Sequence, residues 1–152
     1  MKDCLAVYYS YSCNTCAAAE GIAGYLHCPL LALLHVPSDK NKRKKNLVFA
    51  DSDVDPSEYR NIILCTPVWW ETMASAVKKF LQQTDPSGHE LYPVATHGGK
   101  PDHVFTDMKA LTGAAIHPGL TLPYGRKGNR LDSDEKVRQY VETISSQCLK
   151  GI

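Results

Sequence analysis

Apolar residues come in two kinds of pattern that alternate along the chain. Cys4-Leu5-Ala6-Val7-Tyr8-Tyr9 is an unbroken apolar run, the pattern of a strand buried on both faces as in a parallel sheet. A short polar stretch follows, and then Thr15 to Leu26 sets Ala18, Ile22 and Leu26 at four-residue steps, which predicts a helix. Leu30 to Val36 is a second run, ended by Pro37. Asn61 to Thr66 is a third, ended by Pro67, and Leu91 to Thr96 is a fourth that leads into His97-Gly98-Gly99. Further helices are predicted over Met73 to Gln83, with Ala74, Val77 and Leu81 on one face, and over Asp102 to Leu111, with Val104, Met108 and Leu111 inward. A weaker fifth strand spans Ala114 to Leu122, interrupted by Pro118-Gly119. The last helix, Asp134 to Leu149, carries Val137, Val141, Ile144 and Cys148 at near-helical spacing, with Asp132 or Ser133 as cap and Gly151 beyond its end. From Pro37 to Arg60 no long helix is legible, and the expectation is a loop with a short turn or strand near Leu47 to Ala50.

Strands that alternate with helices need crossover connections, and hence a mostly parallel sheet covered on both faces. The expected fold is an α/β class, three-layer α/β/α sandwich with a five-stranded parallel sheet, formed by residues 1–152 as one domain. In such sheets ligands bind beyond the carboxyl ends of the strands, so function is sought in the loops after strands one, three and four.

Composition narrows the picture. The 152 residues are 43% hydrophobic, enough for a core and too many for a disordered or low-complexity chain. Lys+Arg 17 against Asp+Glu 16 leaves a net charge of +1, which argues against a dedicated nucleic-acid binder and against an acidic carrier steered to basic partners. The basic block Lys40-Asn41-Lys42-Arg43-Lys44-Lys45 reads as a solvated loop, with docking of an acidic partner as its alternative. No stretch approaches the roughly 18 unbroken apolar residues of a membrane span, and no secretory pattern opens the chain. The expectation is a soluble, cytoplasmic protein without membrane or nucleic-acid partners. Of six cysteines, Cys4, Cys65 and Cys148 fall on apolar runs or faces and read as buried small hydrophobes. Cys13 and Cys16 stand apart as a C-x-x-C where a strand meets a helix.

The three loops each carry distinct chemistry. Ser10-Tyr11-Ser12-Cys13-Asn14-Thr15 offers hydroxyls, an amide and the N–H groups of a helix start, an anion site that needs no Lys or Arg. No basic residue lies between Asp3 and His27, which suits holding a phosphate better than transferring one. Thr66-Pro67-Val68-Trp69-Trp70 contains both tryptophans. Two adjacent Trp cannot both point into one core, so a planar aromatic ligand stacked on one of them competes with simple core packing. In Thr96-His97-Gly98-Gly99, adjacent glycines allow close backbone approach to a flat ligand and peptide orientations closed to other residues; an ordinary turn is the bland alternative.

Together these loops resemble the flavodoxin family over nearly the whole chain. Val7 to Thr15 is similar to that family's first strand and its S/T-x-T-G-N-T phosphate loop. Ile63 to Trp70 resembles the G-x-P-x-W segment in the P-V/I-W-W version of small bacterial flavodoxin-like proteins. Val94 to Gly99, followed by Phe105-Thr106-Asp107-Met108, is similar to the third flavin loop and its helix. The resemblance implies a sheet order of 2-1-3-4-5 and FMN as cofactor. It implies that Ser10, Ser12, Asn14 and Thr15 hold the phosphate, with N–H groups of Cys13 and its neighbours, Tyr11 lying in the same loop. Thr66, Pro67, Val68 and Trp69 would line the ribityl chain and ring, Trp70 would cover the ring edge or face a partner, and Thr96, His97, Gly98 and Gly99 would face the pyrimidine end. Three departures stand out. Cys13 replaces the loop glycine, so a positive φ there would be strained. No aromatic residue lies between Gly98 and Val104, where the chain has Pro101 and His103, so one ring face would be open to a substrate. The acidic excess of carrier flavodoxins is missing.

The leading expectation is an FMN-binding redox protein, either an electron carrier between protein partners or a small oxidoreductase passing electrons to a quinone-like acceptor. His97 is a candidate for stabilising reduced flavin or donating a proton, exposure without a role being its alternative. A thiol–disulfide protein using Cys13 and Cys16 is a competing class, as is a cofactor-free interaction domain on the same scaffold. Zinc held by Cys13, Cys16, His27 and Cys28 would require the intervening helix to bring its two ends together. A phosphatase of the Cys-x5-Arg type is excluded, since no Cys precedes an Arg at that spacing.

Overall fold

The apolar runs pair side by side along one sheet. The computed structural model describes residues 2–9, 13–34, 48–49, 54–84, 88–125, 127–128, 130 and 134–150. In chain order the elements are β1 (Lys2–Tyr8), α1 (Asn14–Leu26), β2 (Leu30–Leu34), β3 (Val48–Phe49), β4 (Tyr59–Trp69), β5 (Thr72–Met73), α2 (Ser75–Gln83), β6 (Glu90–His97), α3 (Val104–Leu111), β7 (Ala115–Ile116), β8 (Leu120–Pro123) and α4 (Glu135–Lys150). The order across the sheet is β3-β2-β1-β4-β6, with β7 and β8 both alongside β6. β2, β1, β4 and β6, with β7 and β8 beside β6, run parallel. This is the expected 2-1-3-4-5 order of an α/β sandwich, the fifth position being filled by two short strands in succession.

Two antiparallel pieces are additions to the expected all-parallel sheet. Leu33 pairs with Phe49 and Leu34 with Val48, so β3 is the short strand expected near Leu47 to Ala50 and forms an edge. The second is a hairpin. Pro67 does not end the third strand: β4 runs on to Trp69 and turns back as β5, with Val68 opposite Met73. Pro67 is tolerated because it sits opposite Thr96 at the last position of the β4–β6 ladder, where a missing N–H costs least. The helix expected from Met73 accordingly starts at Ser75. The basic block 40–45 and the side chain of Cys148 lie outside the described residues.

Alternation along the strands sorts the core into two layers. Leu5, Val7, Leu31, Ile62, Leu64 and Leu91 face Val77, Phe80, Leu81, Val104 and Met108 of α2 and α3. Ala6, Ile63, Cys65, Tyr92 and Val94 face Ala18, Ala19, Ile22, Val137, Tyr140 and Ile144 of α1 and α4. Cys4 and Cys65 are buried within these strands as expected, and burial pushes the Cys65 thiol pKa upward.

The break in the fifth strand is a bulge with a physical cause. Leu91 pairs with Ile116, but Val94, three residues on, pairs with Leu120, four residues on, so the outer chain gains one residue. Pro93 and Pro118 face this gap without N–H donors, and the Tyr140 hydroxyl donates toward both their carbonyls, at 3.2 and 3.0 Å. Gly119 fits there because any Cβ would stand 2.4 Å from the Phe105 ring.

Candidate functional site

The β1–α1 connection supplies the first edge of the site. Ser10, Tyr11 and Ser12 lie outside the described residues; Cys13 is the N-cap of α1 with φ 67° and ψ 9°. The position that resembles a family glycine thus keeps the left-handed conformation that glycine favours, at a cost of about 1–2 kcal/mol for a residue with a Cβ. The first helical hydrogen bond runs from the Ala17 N–H to the Cys13 carbonyl, 2.9 Å. The N–H groups of Asn14, Thr15 and Cys16 precede it, at the positive end of a 13-residue helix. Thr15 is buried, and its hydroxyl shares a 2.7 Å hydrogen bond with that of Thr96, tying this loop to the end of β6.

The β4–β5 hairpin supplies the second edge. Its two turn residues, Trp70 and Glu71, have φ 52° and 68°, the both-positive pattern of a type I′ turn that ordinarily selects Asn-Gly. The two tryptophans diverge as expected. Trp69 is half-buried, packed on the core and edge-on to Tyr9 with ring centroids 5.3 Å apart; Trp70 is 95% exposed. Thr66 holds the hairpin from inside. Its hydroxyl accepts from the Ala74 N–H at 3.0 Å and donates to the Pro67 carbonyl at 2.8 Å. Val68 and Pro67 are half-buried beside it.

The end of β6 completes the edge. His97 is its last residue, and its carbonyl accepts from the Tyr124 N–H at 2.8 Å. Gly98 and Gly99 are exposed, take no left-handed φ, and among the described residues would meet nothing within 4 Å if given a Cβ. Their value here is room, rather than the unusual peptide orientation expected of them. The His103 N–H reaches back to the Glu71 carbonyl at 3.0 Å, and the Thr72 hydroxyl donates to Asp107 at 2.5 Å, so this loop and the hairpin are joined.

Two contributors escape the sequence reading. One is the loop after β8: a Cβ on Gly128, whose φ is +78°, would stand 3.4 Å from the Asn14 side-chain oxygen, so this loop lies against the start of α1. The cluster Gly125, Gly128 and Pro123 beyond the fifth strand was its available signal. The other is strain. Of the five non-glycine residues with positive φ among the described residues, Cys13, Trp70, Glu71 and Asp102 sit in the loops leaving β1, β4 and β6, and the fifth, His27, caps α1.

Cys16 does not behave as an activated thiol. Burial, reinforced by the neighbouring Cys13 thiol, pushes Cys16 up to about 12, away from the standing thiolate that thiol–disulfide catalysis needs. Tyr8, 3.8 Å from that sulfur, is likewise pushed up to about 12, first by burial and then by its bond to Cys16. α1 runs unbroken between Cys16 and Cys28, and among the described residues no group of three metal-ligating side chains gathers. No described helix is long and apolar enough to cross a membrane.

An open, mostly parallel sheet whose carboxyl edge gathers a helix start, a tryptophan hairpin and a glycine loop defines an α/β protein of the doubly wound class. The flavodoxin family model matches residues 36–144. The chain belongs to the flavodoxin family. No match is found among curated proteins. Among solved structures, the chain resembles a Lactobacillus acidophilus flavoprotein in complex with FMN, at 20% identity and TM-score 0.65, covering 80% of this chain and 93% of that one. It is similar to a protein of Bacteroides eggerthii assigned as a flavoprotein, at 17% identity and TM-score 0.72, covering 95% and 99%. Flavodoxin 1 of Bacillus cereus aligns at 16% identity and TM-score 0.62, covering 99% of both chains. At these identities the likeness is one of fold.

Proposed function

We propose that the chain binds FMN at the carboxyl edge of its sheet and transfers electrons through it. One observation carries the reading: loops far apart in sequence are locked together at that edge, by the Thr15–Thr96 hydrogen bond, the Tyr9–Trp69 contact and the pairing of Pro67 with Thr96. Family membership supports FMN as the ligand, and the Lactobacillus flavoprotein is described with FMN bound. The residues fit such a group. Cys13 holds the left-handed turn, α1 presents its first N–H groups, and Gly98 and Gly99 leave open space. Ser10, Ser12, Asn14 and Thr15 would hold the phosphate; Thr66, Pro67, Val68 and Trp69 would line the ribityl chain and ring. Trp70 would cover the ring edge or face a partner, and Thr96, His97, Gly98 and Gly99 would meet the pyrimidine end.

When bound, FMN supplies the one- and two-electron chemistry. The chain's own part is to bind, orient and limit access. N–H groups and hydroxyls of the β1–α1 loop would hold the phosphate without a cation from that loop. Thr66 and the Thr15–Thr96 pair fix the backbone that the ligand would lie against. The electron acceptor is a redox partner protein or a small quinone-like molecule. The exposure of Gly98, Gly99 and Lys100 favours the small acceptor, because among the described residues no atom stands within 4 Å of a Cβ placed on either glycine.

Purified protein reconstituted with FMN is expected to show flavin bands at about 375 and 450 nm, with quenched flavin fluorescence. Trp69→Ala is expected to weaken FMN binding about tenfold, the equivalent of losing one aromatic stack. Unchanged affinity in a folded variant would favour a cofactor-free interaction domain. Stepwise reduction separates the two roles: resolved one-electron steps mark a carrier, and direct two-electron reduction with NAD(P)H turnover marks an oxidoreductase.

A further inference from the structure

The C-x-x-C between β1 and α1 is left over by this function, and its geometry is that of a pair. Cys13 is the N-cap of α1 and Cys16 lies three residues on, in the turn closed by the Ala17 N–H to Cys13 carbonyl bond. Residues three apart on such a turn have Cα atoms about 5 Å apart, inside the range that a disulfide spans. The Cys13 side chain makes no capping hydrogen bond; its sulfur is instead within hydrogen-bonding reach of the Cys16 thiol. The two differ in access. Cys13 is exposed, whereas Cys16 is half-buried between the Tyr8 hydroxyl, at 3.8 Å, and the Glu20 carboxylate, at 3.4 Å. Other described thiols stand elsewhere: Cys4 and Cys65 are buried in β1 and β4, and Cys28 follows the opposite end of α1.

We propose that Cys13 and Cys16 form a dithiol oxidation site, converted reversibly to an intramolecular disulfide by hydrogen peroxide. The exposed Cys13 sulfur attacks one peroxide oxygen; the O–O bond breaks, Cys13 becomes the sulfenic acid, and one water leaves. The sheltered Cys16 sulfur then attacks the Cys13 sulfur. The S–S bond forms, the S–O bond breaks, and a second water departs. Two thiols lose two hydrogens and two electrons, and one peroxide becomes two waters. The Cys16 S–H points at Glu20 Oε1, so Glu20 is the positioning residue that orients this thiol, and the thiol proton leaves with the departing oxygen as water. A small external dithiol restores both thiols by exchange.

The test uses the reduced full chain without added flavin, so it reads independently of the FMN proposal. After treatment with hydrogen peroxide, remaining thiols are alkylated and the protein is mapped by mass spectrometry. The expected result is loss of the mass of two hydrogen atoms, confined to the peptide holding Cys13 and Cys16 and reversed by dithiothreitol. Cys16→Ser should accumulate a Cys13 sulfenic acid that dimedone traps, and Cys13→Ser should form no intramolecular bond. Glu20→Gln should prolong the life of that trapped acid in the otherwise unaltered chain. Oxidation directed equally to Cys28, disulfide-linked dimers as the main product, or a Cys13 as unreactive as buried Cys65 would each overturn the proposal.

Discussion

Thr15 and Thr96 are 81 residues apart and meet through one buried hydroxyl pair. Replacing either by Val leaves the other hydroxyl buried without that partner, at about 1–3 kcal/mol. The double variant Thr15→Val with Thr96→Val removes both polar groups together. It should therefore lose less stability than the two single variants combined, as read from urea midpoints. Additive losses would show that the pair carries no coupling. Both threonines were legible as candidates for a site, because hydroxyls at loop positions after apolar strands point to ligand chemistry. That they face each other was not, since contact between distant elements depends on register, which local patterning does not encode. Cys13 is the opposite case. Its left-handed backbone could be anticipated from the glycine it replaces in a resembling motif, and it was found there.

The β4–β5 hairpin is where reading by elements fell short. A proline after an apolar run signals a strand end, but Pro67 stands at the end of a ladder, where the signal loses its force. The turn at Trp70-Glu71 carries none of the Asn or Gly that announces a type I′ hairpin. The elements with a long buried face, β1, β4, β6 and the four helices, were legible because burial imposes period on many residues at once. Two-residue strands impose almost none. Glu71 is exposed, and only its backbone bonds to His103 in this turn. Glu71→Gly should therefore relieve left-handed strain at a modest entropic cost, stabilising the protein by about 0.5–1 kcal/mol. The expected signature is a higher urea midpoint with an unchanged slope; a lower midpoint would show that the turn is not strained.

At the scale of the whole molecule, the crossover topology followed from the alternation of patterns, whereas the ties between distant helices did not. Tyr25 at the end of α1 donates to Asp134 at 2.5 Å, and Arg130 and Arg138 approach the same carboxylate at 3.0 and 3.3 Å. The Tyr25 hydrogen bond, followed by Arg130, holds the Asp134 pKa below its ordinary value. A carboxyl depressed in the folded state contributes stability above its unfolded pKa and loses it as pH falls through the folded one. Asp134→Asn should thus lower Tm at neutral pH, with the difference from the parent chain shrinking below about pH 4 and in high salt. A difference independent of pH would remove the charge from the explanation. The bulge opposite Pro93 bears on a different property, tolerance to insertion and deletion. Ile116 faces the α2–α3 layer, while Leu120 and Leu122 face the α1–α4 layer, although even spacing in an unbroken strand would put all three on one side. Gly119 belongs to the stretch that makes this change of parity. A one-residue deletion there would therefore be absorbed: it removes the extra residue, and regular alternation alone then keeps Leu120 and Leu122 on the side opposite Ile116.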